Sequence, residues 1–260
     1  YNNLGTTLNE LTRHEEATIN LKKAITLKPY YSDAYNNLGN SYNKLGKHEE
    51  GAVNLVKAIE LNPKLSEAFN NLGNTLKEKG ELQASIFSYD RALQLKPDYP
   101  EAHNNLGIAL KEKGNLIAAI DSFNQALQLK PDYPEAHANL GNALHENGDL
   151  TAASSSYNKS LKLDPNKPEV HLNYALTMLL LGDYKNGWEE YKWRTKISIN
   201  PSIPYAIPKC KLWNGERLER AAKLLLVTEQ GLGDILQFMR YAIALRRQNL
   251  SISICAQPRL

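Results

Sequence analysis

Asparagine returns every 34 residues along this chain, at Asn3, Asn37, Asn71, Asn105, Asn139 and Asn173. A second set, Asn40, Asn74 and Asn142, lies three residues on, which puts it on the same helix face. Asparagine is a mediocre helix former, so propensity does not account for its return. Its carboxamide donates and accepts together. A regular row of such groups suits an extended peptide backbone, held with little regard for its side chains. The same row could instead bond to the neighbouring repeat or to water. His103, His137 and His171 keep the same step, in the slot filled elsewhere by Tyr1, Tyr35 and Phe69. A zinc site needs ligands that converge on one point. These are spread along the chain, so the slot reads as a structural aromatic one and no metal site is expected.

A different kind of candidate lies near the other end. Glu229-Gln-Gly-Leu-Gly-Asp234 follows the apolar run Ala222–Thr228 and precedes the amphipathic stretch Ile235–Arg247. Gly231 and Gly233 lack the third glycine of a dinucleotide fingerprint. Asp234 falls at a helix start, where it would repel a phosphate. It reads either as a helix cap or as a group that does chemistry.

The elements that must position these residues follow from the period. Asn-Asn-Leu-Gly stands at Asn2–Gly5, Asn36–Gly39, Asn70–Gly73 and Asn104–Gly107, with Ala138–Gly141 a near copy and Leu172–Ala175 a decayed one. Leu-x-Pro keeps step at Pro29, Pro63, Pro97, Pro131 and Pro165. Two markers locked to one 34-residue period imply stacked helix–turn–helix units. In the second copy, Ser32-Asp33 is expected to cap and open one helix, Gly46 to end it, and a second helix to run from about His48 to Leu61. Asp33, Glu67, Glu101, Glu135 and Glu169 sit where a helix dipole favours acids. Glycine inside a helix costs about 1 kcal/mol relative to alanine. Its return at Gly5, Gly39, Gly73, Gly107 and Gly141 implies a helix crossing too close for a side chain, with Ala24, Ala58, Ala92 and Ala126 as the expected small partners.

This pattern, aromatic-x-x-Leu-Gly and then Gly, Ala, Phe/Tyr, Ala and Pro, resembles the tetratricopeptide repeat over Tyr1 to about Lys196. The resemblance implies a mainly α, right-handed superhelical solenoid with the first helix of each pair on the concave face. The expected guest is a protein or extended peptide. The asparagine row and the text Asn71–Asn74 with Lys77–Gly80 are similar to the repeats of O-linked N-acetylglucosamine transferase. Repeats that clamp a terminal carboxylate look different: Asn2, Asn36, Asn70 and Asn104 stand where their first lysine would be.

Composition sets further bounds. At 260 residues and 42% hydrophobic, the chain can bury a large core. Residues 1–182 hold 18 Lys/Arg against 21 Asp/Glu, and residues 183–260 hold 13 against 7. With no basic stripe along the repeats, nucleic acid is not an expected partner. Cys210 and Cys255 do not make a disulfide scaffold. There is no run long enough to cross a bilayer and no visible signal peptide, so the expected location is cytoplasmic. Tyr1 falls in a helix of the first repeat, so the chain is expected to be a piece of something longer.

After Lys196 the period stops. The expected division is repeats over 1–196, a linker over 197–220, and the start of a Rossmann-like domain over 221–260. There, strand, glycine loop, helix and the strand Ser251–Ala256 form an incomplete βαβ unit. Trp188-x-x-Tyr191-x-Trp193-Arg194, Trp213-x-Gly215, the Glu229–Asp234 loop and Gln237-Phe238-x-Arg240-Tyr241 resemble bacterial proteins that fuse such repeats to a glycosyltransferase-like domain of the heptosyltransferase type. That resemblance implies that Asp234 is a base for an acceptor hydroxyl and that the full-length protein uses a nucleotide sugar. This piece, with no cofactor of its own, is expected to be inactive. The sequence departs from the pattern at Gln237 and in the missing proline before Trp213. Two strands and one helix leave apolar sheet bare, so the tail is expected to pack on the last repeats or to self-associate. Three functions follow: a peptide-binding arm that recruits substrates, a sugar-transferring enzyme, or a scaffold with a degenerate cap.

Overall fold

The structure, a computed structural model, describes residues 1–197, 223–227, 243, 246, 247 and 251–255. Its contacts divide the chain into two units, Tyr1–Ile197 and Ser198–Leu260.

The first unit is a row of six helix pairs. They are α1 (Asn2–Glu10) with α2 (His14–Leu27), α3 (Ser32–Lys44) with α4 (His48–Leu61), α5 (Ser66–Glu78) with α6 (Leu82–Leu95), α7 (Pro100–Glu112) with α8 (Leu116–Leu129), α9 (Pro134–Glu146) with α10 (Leu150–Leu163), and α11 (Pro168–Leu180) with α12 (Tyr184–Tyr191). A 3-10 turn at Lys192–Lys196 follows. The sixth copy, decayed in sequence, still folds as a hairpin. Glycine makes the turn inside each later pair: Gly46, Gly80, Gly114, Gly148 and Gly182 have φ between 72° and 88°, a region that favours glycine. In the first pair Thr12 takes that place at φ 60°.

Two local expectations are corrected. Ser32 does not cap α3; it is the first helical residue, Tyr31 holds the cap position, and no side chain bonds the free amides there. The acids act as expected, since Asp33, Glu67, Glu101, Glu135 and Glu169 all lie in first turns. The in-helix glycines do not face small alanines. They face large side chains of the second helix. A Cβ on Gly73 would stand 2.5 Å from Tyr89 Cε1, and one on Gly107 would stand 2.6 Å from Phe123 Cε1. Leu21 and Leu55 fill the same slot beside Gly5 and Gly39. These side chains, with Tyr157, are the fully buried centres of the first five pairs. At Gly73, Gly107 and Gly141 the missing methyl makes room for a ring; at Gly5 and Gly39 it makes room for a leucine, and at Gly39 also for the Gly51 carbonyl oxygen, 3.0 Å away.

Each pair packs on the next through buried clusters such as Phe123, Leu140, Ala119 and Ala143. Helices α1, α3, α5, α7, α9 and α11 each touch the next member of that row, while the second helices form no comparable row among the described residues. The side on which successive helices meet is the inside of the stack, so the first helices line the inner face.

In the second unit, β1 (Lys223–Val227) pairs in parallel with β2 (Ser251–Cys255), from Lys223 opposite Ser251 to Val227 opposite Cys255. Asp234, Gly231, Gly233, Gln237, Cys210 and Trp213 lie outside the described residues. Among the described residues no helix is long and apolar enough to cross a membrane.

Candidate functional site: a carboxamide ladder on the inner helices

The asparagine row forms a ladder between repeats. Asn37 Nδ2 donates to Asn2 Oδ1 at 3.1 Å, Asn71 to Asn36 at 2.9 Å, Asn105 to Asn70 at 3.0 Å and Asn139 to Asn104 at 3.0 Å. The period places the donor of one repeat against the residue one position earlier in the repeat before it. Position 138 is Ala, so Asn173 turns to Asn142 Oδ1 at 3.0 Å. The acceptors Asn70 and Asn104 are buried, at 5% and 4% exposure. Of the two readings open for this row, the bond to the neighbouring repeat takes the donor half, since each Nδ2 donates inside the protein. Among the described residues, the oxygens of Asn71, Asn105 and Asn139 accept no hydrogen bond, and these side chains are only half-buried. Asn3, first in the row, is exposed.

The second set is also partly absorbed. Tyr89 Oη donates to Asn74 Oδ1 at 2.7 Å, and Tyr157 Oη donates to Asn142 Oδ1 at 2.8 Å. Burial pushes both phenols well above the ordinary tyrosine range, so they stay protonated as donors. The pairing follows the sequence. Where the second helix carries Phe123, the first carries Ile108 in place of Asn; where it carries Leu55, Asn40 has no hydroxyl below it.

A further rung, not anticipated from the sequence, lies one turn along. Asn9 meets Ser41 Oγ at 2.7 Å, Asn43 meets Thr75 Oγ1 at 2.6 Å, and His145 Nδ1 meets Thr177 Oγ1 at 2.9 Å. Ser41, Thr75 and Thr177 are fully buried. In the two middle repeats the partners are Ala109 and Ala143, and Lys77 and Lys111 reach instead to Glu112 at 3.9 Å and Glu146 at 2.7 Å. A polar residue matched to a hydroxyl 32 positions later was the available signal.

On this face, between α9 and α11, a hollow of about 260 Å³ is lined by Lys111, Asn142, His145, Glu146, Asn173 and Leu176, with Tyr157 beneath. It offers an ammonium, a carboxylate, amides and one apolar side chain within a single depression.

The three histidines behave alike. His103, His137 and His171 each bring Nε2 to a proline carbonyl six residues back, at 3.0, 2.9 and 2.9 Å. That bond ties the loop before the first helix to its opening turn, which is a structural task. Among the described residues no three His, Cys, Asp or Glu side chains converge.

The family comparisons agree with this architecture. Three profiles described as tetratricopeptide repeat match residues 1–31, 32–65 and 55–87, one each, and a profile described as TPR repeat matches 73–114, 109–148 and 141–182. Protein FlbA of Caulobacter vibrioides is 38% identical over 64 residues, which is 25% of this chain and 10% of that protein's length. PilF of Pseudomonas aeruginosa is similar in structure, with TM-score 0.67 at 18% identity over 75% of this chain and 95% of that one. PilW, a type IV pilus biogenesis factor, gives 0.68 at 21% over 73% and 88%. YrrB, described as a TPR protein with an unusual peptide-binding site, gives 0.56 at 21% over 68% and 92%. At these identities the structural likeness is one of fold. With the repeats matched from residue 1 to residue 182 and the helix pairs stacked as described, the chain belongs to the tetratricopeptide repeat family.

Proposed function

We propose that this chain holds an extended peptide or protein segment along its inner face, as a recruiting scaffold. One observation carries the reading: the oxygens of Asn71, Asn105 and Asn139 stand half-exposed, in register, and without a partner among the described residues. Each amide is fixed by its own donor bond, so the acceptor is already oriented before a guest arrives, which lowers the ordering cost of binding. A row of oxygens recognises N–H groups, which any peptide backbone supplies. The hollow beside Leu176 gives one side chain a pocket. YrrB, of similar fold, is described as having a peptide-binding site.

The test is a peptide-array screen on the full chain, followed by affinity measurement on the best binder. Replacing Asn71, Asn105 and Asn139 by Ala removes both oxygen and ladder bond. Replacing Asn36 by Ala removes a ladder bond and leaves the Asn71 oxygen. Weakened binding in the first set alone supports the reading; equal weakening in both makes the row purely structural.

A second reading concerns the unit after residue 197. Parallel pairing of β1 with β2 requires a crossover between them, which supports the opening of a Rossmann-like lobe. On that reading the repeats present acceptors to a glycosyltransferase-like domain of the longer protein, which uses a nucleotide sugar, with Asp234 as base. Sugar transfer by the longer protein, lost on Asp234→Asn, is the expected result. Transfer that survives the change removes Asp234 from the account.

A further inference from the structure

Away from the inner face, a groove of about 650 Å³ opens between α8 and α10, lined by Leu127, Pro131, His137, Leu140, Lys159 and Leu163. His137 is 8% exposed. Its Nε2 donates to the Pro131 carbonyl at 2.9 Å, so Nδ1 is left as a bare lone pair. That atom is buried and has no partner among the described residues. Burial holds the His137 pKa below the ordinary imidazole value; Lys159 pushes the same way, while the bond to the Pro131 carbonyl and the nearby Asp132 oppose it. The ring therefore stays neutral and offers an acceptor.

The next repeat shows such a site completed. His171 stands 34 residues on, with Nε2 on the Pro165 carbonyl at 2.9 Å. Its Nδ1 pairs with Glu190 Oε2, and the Trp193 ring stacks on the imidazole, with centroids 3.9 Å apart and planes 5° from parallel. Glu190 and Trp193 are the 34-residue counterparts of Ser156 and Lys159. Ser156 gives its own proton to the Ala152 carbonyl at 3.0 Å, and Lys159 is exposed. The fifth repeat thus lacks both the ring and the polar partner that the sixth draws from α12 and the 3-10 turn after it.

We propose that the groove at His137 binds an aromatic side chain with a ring-borne donor, tyrosine or tryptophan, presented by a partner segment with an acidic residue beside it. The hydroxyl or indole N–H donates to Nδ1. The ring lies against Leu127, Leu140 and Leu163, and the acid meets Lys159 and Lys162, both at the rim. This proposal does not rest on the inner-face reading, since the two sites share no residue.

The test titrates the full chain, labelled with 15N in its imidazoles, with the capped dipeptides Asp-Tyr, Asp-Trp and Asp-Phe. The Tyr and Trp dipeptides are expected to shift the His137 Nδ1 resonance saturably. The Phe dipeptide, which lacks the donor, is expected to bind about three- to tenfold more weakly. Ser156→Glu with Lys159→Trp copies the sixth repeat and closes the groove from within, and should weaken the Tyr dipeptide at least about tenfold. His137→Phe keeps the slot that Phe69 fills in the third repeat and should erase the difference between Tyr and Phe. Equal binding of Tyr and Phe by the unmodified chain, or no saturable shift at all, overturns the proposal, and that comparison stands even where a variant fails to fold. Undiminished binding by a folded Ser156→Glu/Lys159→Trp chain overturns it as well.

Discussion

Gly107→Ala tests why glycine sits inside the helices. Propensity alone predicts a gain of about 1 kcal/mol, because Gly107 is mid-helix. Packing predicts the opposite. The new methyl would stand 2.6 Å from Phe123 Cε1, 2.8 Å from Cδ1 and 2.9 Å from Cζ, about 1 Å inside ordinary carbon contact. Phe123 is fully buried, so its ring has nowhere to swing. Overpacking of this kind costs about 1–3 kcal/mol, and three contacts on an enclosed ring place it near the top of that range. The net expectation is a loss of about 1–2 kcal/mol. In a chain of this length that lowers the thermal midpoint by roughly 2–8 °C. Helical circular dichroism followed through heat and urea reads it. Gly5→Ala should cost a similar amount, because Leu21 is as fully buried as Phe123 and its Cγ would stand 2.5 Å from the new methyl. A raised midpoint for Gly107→Ala refutes the argument: the ring would then not be what excludes a Cβ.

Three further outcomes are expected. Asn105→Ala removes a ladder bond and strands the Asn70 oxygen, which is 5% exposed; the loss should be about 1–3 kcal/mol, larger than for Asn37→Ala, whose acceptor Asn2 is half-exposed, and urea midpoints compare them. Tyr89→Phe orphans Asn74 and should cost about 0.5–1.5 kcal/mol, while Tyr89→Phe with Asn74→Ile, copying Phe123 with Ile108, should recover most of it in a double-mutant cycle. His137 has its folded pKa depressed from 6.5, so the unfolded chain binds the proton more readily and stability falls as pH drops through the window below 6.5; the slope of urea midpoint against pH there should be shallower in His137→Phe, and an unchanged slope would remove His137 as its source.

The repeat architecture was legible because every marker occurs in several copies. Leu-Gly with the period, the turn glycine and the closing proline each have one local cause, and that cause acts identically in each copy. What the sequence hid was which partner a repeated residue finds. Gly73 announces that something large or close lies opposite, but only three-dimensional packing says that it is Tyr89 and not Ala92. Ser32 looks like a cap because caps are local, yet the loop from Pro29 sets Tyr31 in that place. Asn105 reads equally well as a donor to a guest or to a neighbour. The choice depends on whether the residue 35 positions earlier carries an oxygen within reach, and Asn70 does.

The rungs between repeats also give the inner face a direction. The same position along the first helices carries Asn9, Asn43, Lys77, Lys111 and His145. Where the next repeat offers a buried hydroxyl, at Ser41, Thr75 or Thr177, the residue is a neutral amide or an imidazole and the bond is short. Where the next repeat offers Ala109 or Ala143, the residue is lysine and pairs with a glutamate at the surface. Exposed pairs of this kind contribute about 0–1 kcal/mol, so a guest carboxylate can compete for either lysine at little cost. The buried hydroxyl rungs have no such freedom, because breaking them strands a polar group. On the proposed function, a segment lying along these helices would meet fixed groups at the first, second and fifth repeats and exchangeable ammonium groups at the third and fourth. Its two orientations would then be unequal, and the position of an acid along the segment would decide between them.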